Sequence, residues 1–141
     1  MGMAVAGAIG ARFAKPNNEV VAVSGDGAVQ MVLQELPTAV QYQTPFTLCI
    51  LNNYHLGWIK YIQQRFFDQH YVATDYEAQP DFASIAEACG CLGLKVERAS
   101  EVNEAIQSAL RANRDGTPAV LDFEVKPLDL AEGFVEYHDT M

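Results

Sequence analysis

Asp26, held between Gly25 and Gly27, and the pair Asn52-Asn53, twenty-four residues beyond that triplet, are the residues of this sequence best suited to chemistry. Asp26 offers a hard carboxylate oxygen and Asn53 a hard amide oxygen, donors that suit magnesium or calcium. Mg²⁺ is commonly held by only one or two protein carboxylates, with substrate phosphates and water completing its octahedron. Glycines on both sides of the acid let a phosphate approach the backbone and permit positive φ. A helix starting after Gly27 would turn free N–H groups toward the same point. A carboxylate among such glycines repels a phosphate unless a cation lies between them. The set points to a diphosphate bridged to the protein by a metal.

Two apolar runs must carry these tips. Val20–Val23 and Phe46–Leu51 read as buried strands, each closing in small or polar residues. Between them Val29, Val32, Leu33, Leu36 and Val40 recur at three- and four-residue steps, a helical stripe. Strand, helix, strand is a right-handed parallel crossover, so both tips emerge at the carboxyl edge of one sheet, where ligands of open α/β sheets sit. Asp26-Gly27 could alternatively close a hairpin, but the residues that follow do not alternate. Pro37 interrupts the stripe and predicts two short helices meeting near Gln34–Leu36.

Gly25-Asp26-Gly27 followed at this distance by Asn52-Asn53 resembles the thiamine-diphosphate motif. Met1-Gly2 through Ala8-Ile9-Gly10-Ala11, Gln34-Glu35-Leu36 and Phe82 to Gly90 are similar to the C-terminal cofactor domain of the acetolactate synthase and pyruvate oxidase group. The resemblance covers nearly the whole chain. It implies an α/β three-layer domain with a mainly parallel sheet flanked by helices, and thiamine diphosphate with Mg²⁺ as cofactors. In that group the metal takes two diphosphate oxygens, a water, and ligands that map here to Asp26, Asn53 and the backbone carbonyl of His55, leaving the imidazole free. The implied cofactor-binding positions are Met1, Gly25, Asp26, Gly27, Ala28, Met31, Asn53, His55, Gly57 and Trp58. Met1 matches a bulky residue that supports the bend of the cofactor, unless it is only an initiator or a cut site. Met31 is either pocket or plain core, and Gly57 lets the backbone pass close to the phosphates. Two positions depart from the acetolactate synthases: Trp58 stands where they carry Met, and Ile62 where they carry a Trp that selects the second keto acid.

The activity implied is decarboxylation of a 2-keto acid on the thiazolium carbon of the cofactor. The two-carbon unit then adds to a second carbonyl (as in acetolactate synthase), is oxidised (as in pyruvate oxidase), or is released (as in simple decarboxylases). No residue here matches the glutamate that activates the cofactor; the family carries it on a pyrimidine-binding domain. The expected partners are therefore that domain, from another subunit of a homo-oligomer (dimer or tetramer), and a 2-keto acid. The isolated chain is expected to be inactive, with no catalytic residue of its own. A flavodoxin-like regulatory or interaction domain, with Asp26 a mere edge acid, is the non-enzymatic rival. A nicotinamide site fits less well, because the triplet lacks the third glycine of that fingerprint.

The rest of the chain sets bounds. Its 141 residues suit one domain, and the expected domain spans 1–141. The family places a strand and loop just upstream, so a domain cut at its N-terminal edge, a piece of a longer polypeptide, is expected. Nine basic against eighteen acidic residues, a formal charge of −9 without a basic cluster, argue against nucleic acid and anionic membrane. No apolar run approaches the ~20 residues of a spanning helix. Cys49, Cys89 and Cys91 lack CxxC spacing and read as packed, reduced thiols of a cytoplasmic protein. His70 and His138 show no ligand spacing.

Met1 to Ala14 reads as a helix packed closely on a neighbour, and Trp58–Gln69 as another. Pro80-Asp81 opens a helix carrying Phe82, Ile85, Ala86 and Cys89 that Gly90 ends. Leu92–Val96 is a strand, Ser100 a candidate N-cap for a helix through Leu110, and Ala119–Val125 a last strand. Asp122 and Glu124 alternate there with apolar residues and read as solvated charges. The tail from Pro127 to Met141 has no clear period and is expected to order only against another chain.

Overall fold

The two apolar runs become neighbouring strands. A computed structural model of the chain describes residues 1–126, with β1 at Val21–Gly25 and β2 at Thr47–Asn52. The tail and His138 lie outside the described residues. β3 (Leu92–Val96) and β4 (Ala119–Glu124) complete a sheet of order β1-β2-β4-β3 in which all neighbours are parallel. Every strand therefore ends at one edge.

Register decides which residues share a face. Val21, Val23 and Gly25 align with Thr47, Cys49 and Leu51, and those with Ala119, Leu121 and Phe123. α6 (Val102–Arg114) covers this face over β3 and β4, setting Ala105 and Ala109 against Val96, Ala119 and Leu121. On the other face α1 (Ala4–Ala14), α3 (Leu36–Gln41) and α5 (Phe82–Ala88) pack Val5, Leu36 and Phe82 onto Leu48, Ile50 and Val120. The result is the expected α/β fold of three layers. Burial of each such large side chain stabilises it by about 1.5–3 kcal/mol. α5 lies so close to β3 that a Cβ on Gly93 would be 2.1 Å from the Ala83 carbonyl oxygen; only glycine fits.

Several expectations change. The crossover is built of shorter pieces than the stripe suggests: α2 is only Asp26–Val29 and a further break falls at Gln30–Val32, while the junction expected near Gln34–Leu36 is present. A 3₁₀ turn, Leu33–Glu35, then runs straight into α3, whose first turn accepts Pro37. Val29 and Leu36 are both fully buried, so the stripe is satisfied by separate turns reaching one core. α4 (Gly57–Phe66) stops short of Gln69, because Asp68 and Gln69 take left-handed φ of 49° and 60°. Ser100 caps nothing: the Glu101 carboxylate accepts the N–H groups of Glu97 and Arg98 at 3.2 and 3.1 Å.

Asp122 is not solvated. β4 lies inside the sheet, and Asp122 is 4 % exposed, whereas Glu124, at the strand's end, is exposed. The three cysteines are free thiols. Burial, then the neighbouring Cys89, pushes the Cys91 thiol up to about 11, so it stays neutral. Among the described residues no helix is long and apolar enough to cross a membrane.

Candidate functional site

β1 ends with Gly25 opposite Leu51 of β2. Asp26 and Asn53 therefore follow directly from the ends of adjacent strands, and both line one cavity of about 770 Å³ at the carboxyl edge. Met1, Gly25, Gly27, Ala28, His55, Gly57 and Trp58 also line it. Met31 lies outside that lining, 55 % exposed and close to Gly2. His70 is exposed and faces a different hollow, beside Phe66 and Phe67.

The paired asparagines have a local reason. Asn52 Oδ1 accepts the N–H of Tyr54 at 3.2 Å and Asn53 Oδ1 accepts that of His55 at 3.1 Å. Each side chain thus closes a turn onto the backbone two residues ahead. Together they hold Tyr54 at φ 60°, a left-handed conformation that a tyrosine rarely adopts.

The glycines serve space rather than unusual dihedrals. Gly25 has φ −81°, and Gly27, in α2, is likewise absent from the left-handed region. A Cβ on Gly25 would meet nothing within 4 Å, so the wall there is bare backbone. A Cβ on Gly27 would press into Leu56 Cδ2 at 2.7 Å and Tyr76 Oη at 2.9 Å. One on Gly57 would stand 2.8 Å from Asn53 Nδ2. Gly57 thus makes room for the Asn53 carboxamide, a neighbour not anticipated from the sequence.

A second segment braces the tip. His55 and Asp75 pair antiparallel, with Leu56 N–H donating to Thr74 O at 2.8 Å and Tyr76 N–H to Tyr54 O at 3.0 Å. In such a pair the N–H and C=O of His55 point away from Asp75, and the N–H goes to Asn53. The His55 carbonyl shares that side. The imidazole is engaged rather than free: Nδ1 lies 2.6 Å from Asp75 Oδ1, which Lys60 Nζ also reaches. The Lys60 hydrogen bond holds the Asp75 carboxyl below its usual range.

Asp26 is 3 % exposed. Its Oδ2 accepts a hydrogen bond from Gln79 Nε2, a partner fifty-three residues away that no local pattern announces. The nearby Tyr76 phenol is raised by burial and then by the Asp26 charge. The cavity residues that could hold an ion offer one carboxylate, one amide oxygen and one peptide carbonyl. Among the described residues no three His, Cys, Asp or Glu gather to hold an ion. Such a set fits a Mg²⁺ that draws its other ligands from a diphosphate and water, rather than an all-protein metal cage.

Residues 1–123 match the family described as thiamine pyrophosphate enzyme, C-terminal TPP binding domain. A Bacillus subtilis protein, YdaP, named as thiamine pyrophosphate-containing, is 43 % identical over 122 residues, 86 % of this chain and 20 % of that protein. An acetolactate synthase of Mycobacterium bovis is 41 % identical over 129 residues, 89 % of this chain and 21 % of the enzyme. In structure the chain is similar to the thiamine diphosphate-dependent 4-hydroxybenzoylformate decarboxylase of Rhodococcus jostii RHA1, with a TM-score of 0.78 and 26 % identity over 89 % of this chain and 23 % of that one. The chain thus spans about a fifth of the length of the curated relatives it matches.

Proposed function

The chain belongs to the C-terminal thiamine-pyrophosphate-binding domains of thiamine-pyrophosphate enzymes, and from that premise we propose that it clamps the cofactor's diphosphate through Mg²⁺ as half of a 2-keto-acid decarboxylating active site. The observation that carries this is the convergence of Asp26, Asn53 and His55 on one cavity with a single carboxylate among them. Asp26, the Asn53 amide oxygen and the His55 carbonyl would hold the ion. Bound thiamine diphosphate supplies the electron sink for loss of CO₂ from a 2-keto acid. The protein's own part is to hold and to keep dry: Val23, Leu51 and Trp58 give the cavity apolar walls that limit water.

Acetolactate synthase-like carboligation is the first choice, given relatives of that name. A simple decarboxylase is favoured instead by two observations: the structural likeness to a decarboxylase, and Trp58 lining the cavity where acetolactate synthases resemble one another in carrying Met. Product analysis of the parent enzyme with pyruvate separates acetolactate from free aldehyde, and from the acetyl products of an oxidase.

The half-site reading is supported by the apolar stripe Val21, Val23 and Leu51, 57, 61 and 45 % exposed, on the sheet face that α6 leaves bare beside the cavity. A pyrimidine-binding domain from another subunit of a homo-oligomer is the proposed cover. Asp26→Ala tests the clamp. Removing the only carboxylate should weaken Mg²⁺-dependent cofactor binding by about 100-fold or more, the loss of a charge-assisted contact near 3 kcal/mol. Unchanged affinity by calorimetry would falsify it.

A further inference from the structure

Behind the cation clamp, on the other side of the β2 tip, lies a second cavity of about 230 Å³ lined by Asn52, Tyr54, Gln79, Lys95 and Asp122, among others. Two acceptor atoms of residues in its wall, Asp122 Oδ1 and Gln79 Oε1, are buried and have no hydrogen-bond partner among the described residues. Asp122 belongs to an interior strand and is 4 % exposed. An orphaned acceptor at such depth costs about 1–3 kcal/mol.

The other ends of both side chains are committed. Gln79 Nε2 donates to Asp26 Oδ2, and a flipped amide would set oxygen against carboxylate, so its Oε1 must face the cavity. Asp122 Oδ2 accepts from Asn52 Nδ2 at 3.4 Å, while Asn52 Oδ1 accepts the Tyr54 N–H. Lys95, the basic side chain of the wall, pairs with Glu97 at 2.6 Å and donates to neither acceptor. No three His, Cys, Asp or Glu among the described residues gather around an ion. What two lone acceptors share is a need for two donors. A water molecule has two, and the space is far above the minimum for one.

We propose that a buried water donates its two protons to Asp122 Oδ1 and Gln79 Oε1, closing a hydrogen-bonded chain that positions the Asp26 arm of the clamp against the Asn53–His55 arm. The chain runs from Asp26 through Gln79, the water, Asp122 and Asn52 to the backbone of Tyr54. Gln79 and Asp122 are then positioning residues that touch neither metal nor cofactor. Burial raises the Asp122 carboxyl above its ordinary range. Protonation leaves the link intact, since the water can accept from the acid and still donate to Gln79.

This inference rests on the clamp proposed above, and two measurements separate their fates. A crystal structure of the protein should show one ordered water within about 3.2 Å of both atoms; its absence, or an ion there, overturns the proposal. In calorimetric titration of Mg²⁺ with thiamine diphosphate, Asp122→Leu and Gln79→Met should each weaken binding about 10-fold. The double variant should lose little more than either, because both cut one chain. Asp122→Asn, which can still accept from Asn52 and meet the water, should stay within about 3-fold of the unsubstituted protein. Additive losses approaching 100-fold, or an Asp122→Asn defect equal to that of Asp122→Leu, overturn the network. Should Asp122→Leu fail to fold, the single variants still decide: Gln79→Met should weaken binding about 10-fold and Asp122→Asn should stay within about 3-fold, and a failure of either expectation overturns the network. Absence of Mg²⁺-dependent binding in the unsubstituted protein defeats the clamp instead, and the crystallographic result then decides this proposal alone.

Discussion

A methyl group added to Gly57 would lie 2.8 Å from Asn53 Nδ2, well inside ordinary contact, which begins at 3.4 Å. The atom it meets is the far end of a side chain, so the carboxamide, not the backbone, must give way. Rotation of Asn53 costs its bond to the His55 N–H, at 3.1 Å and only part-buried, about 1 kcal/mol. Against that, Gly57 opens α4, and alanine there recovers up to about 1 kcal/mol of helix propensity. The two nearly cancel in stability. They do not cancel in binding, because the same rotation removes the amide oxygen from the proposed cation site. A contact to an ion is worth about 1.5–3 kcal/mol, so Mg²⁺ affinity should fall by about 10- to 150-fold. Urea denaturation of the metal-free protein and calorimetric Mg²⁺ titration at saturating thiamine diphosphate read the two quantities separately. An affinity within about 2-fold of wild type would refute the reasoning, as would a loss of affinity matched by a stability loss well above 1 kcal/mol, which would mean that α4 itself had moved.

Other consequences follow from the same packing. Gly93→Ala should cost about 3 kcal/mol or more in urea denaturation, because its Cβ would meet the Ala83 backbone, which cannot rotate away; a loss below about 1 kcal/mol would show that α5 slides freely on β3. Cys91 gives a pH dependence: its thiol titrates near 11 when folded, above the ordinary 9.0. From pH 9 upward the unfolded chain therefore releases a proton that the native state keeps, and stability falls until pH passes about 11. The contribution, at most about 3 kcal/mol, is whole below pH 9 and should vanish from the slope of the stability–pH curve in Cys91→Ala, whatever its effect on the absolute level.

Much of the site could be read from local pattern. The runs ending at Gly25 and Asn52 are adjacent parallel strands, so Asp26 and Asn53 had to meet at one edge. β3 spans Leu92–Val96 as expected, because five alternating residues after a glycine leave little choice. Asp81 likewise caps α5 through the Ser84 N–H at 2.9 Å, a helix start legible from Pro80-Asp81. Phe82 and Ala86 bury the face that periodicity predicts.

The misreadings have one source. Asp122 looks solvated because charge alternates with apolar residues along β4, yet strand order, not alternation, decides whether that face meets water. Gln79 meeting Asp26 and Asp75 meeting His55 each bring in a residue from a loop distant in sequence, and a loop has no period from which a partner can be inferred. The sequence by itself thus determined the elements and the donor types, since helix and strand repeats are set by neighbours a few residues apart. Which buried polar groups face one another, and so how the two arms are braced, was decided by the tertiary structure alone, because crossover geometry brings together residues that share no local constraint.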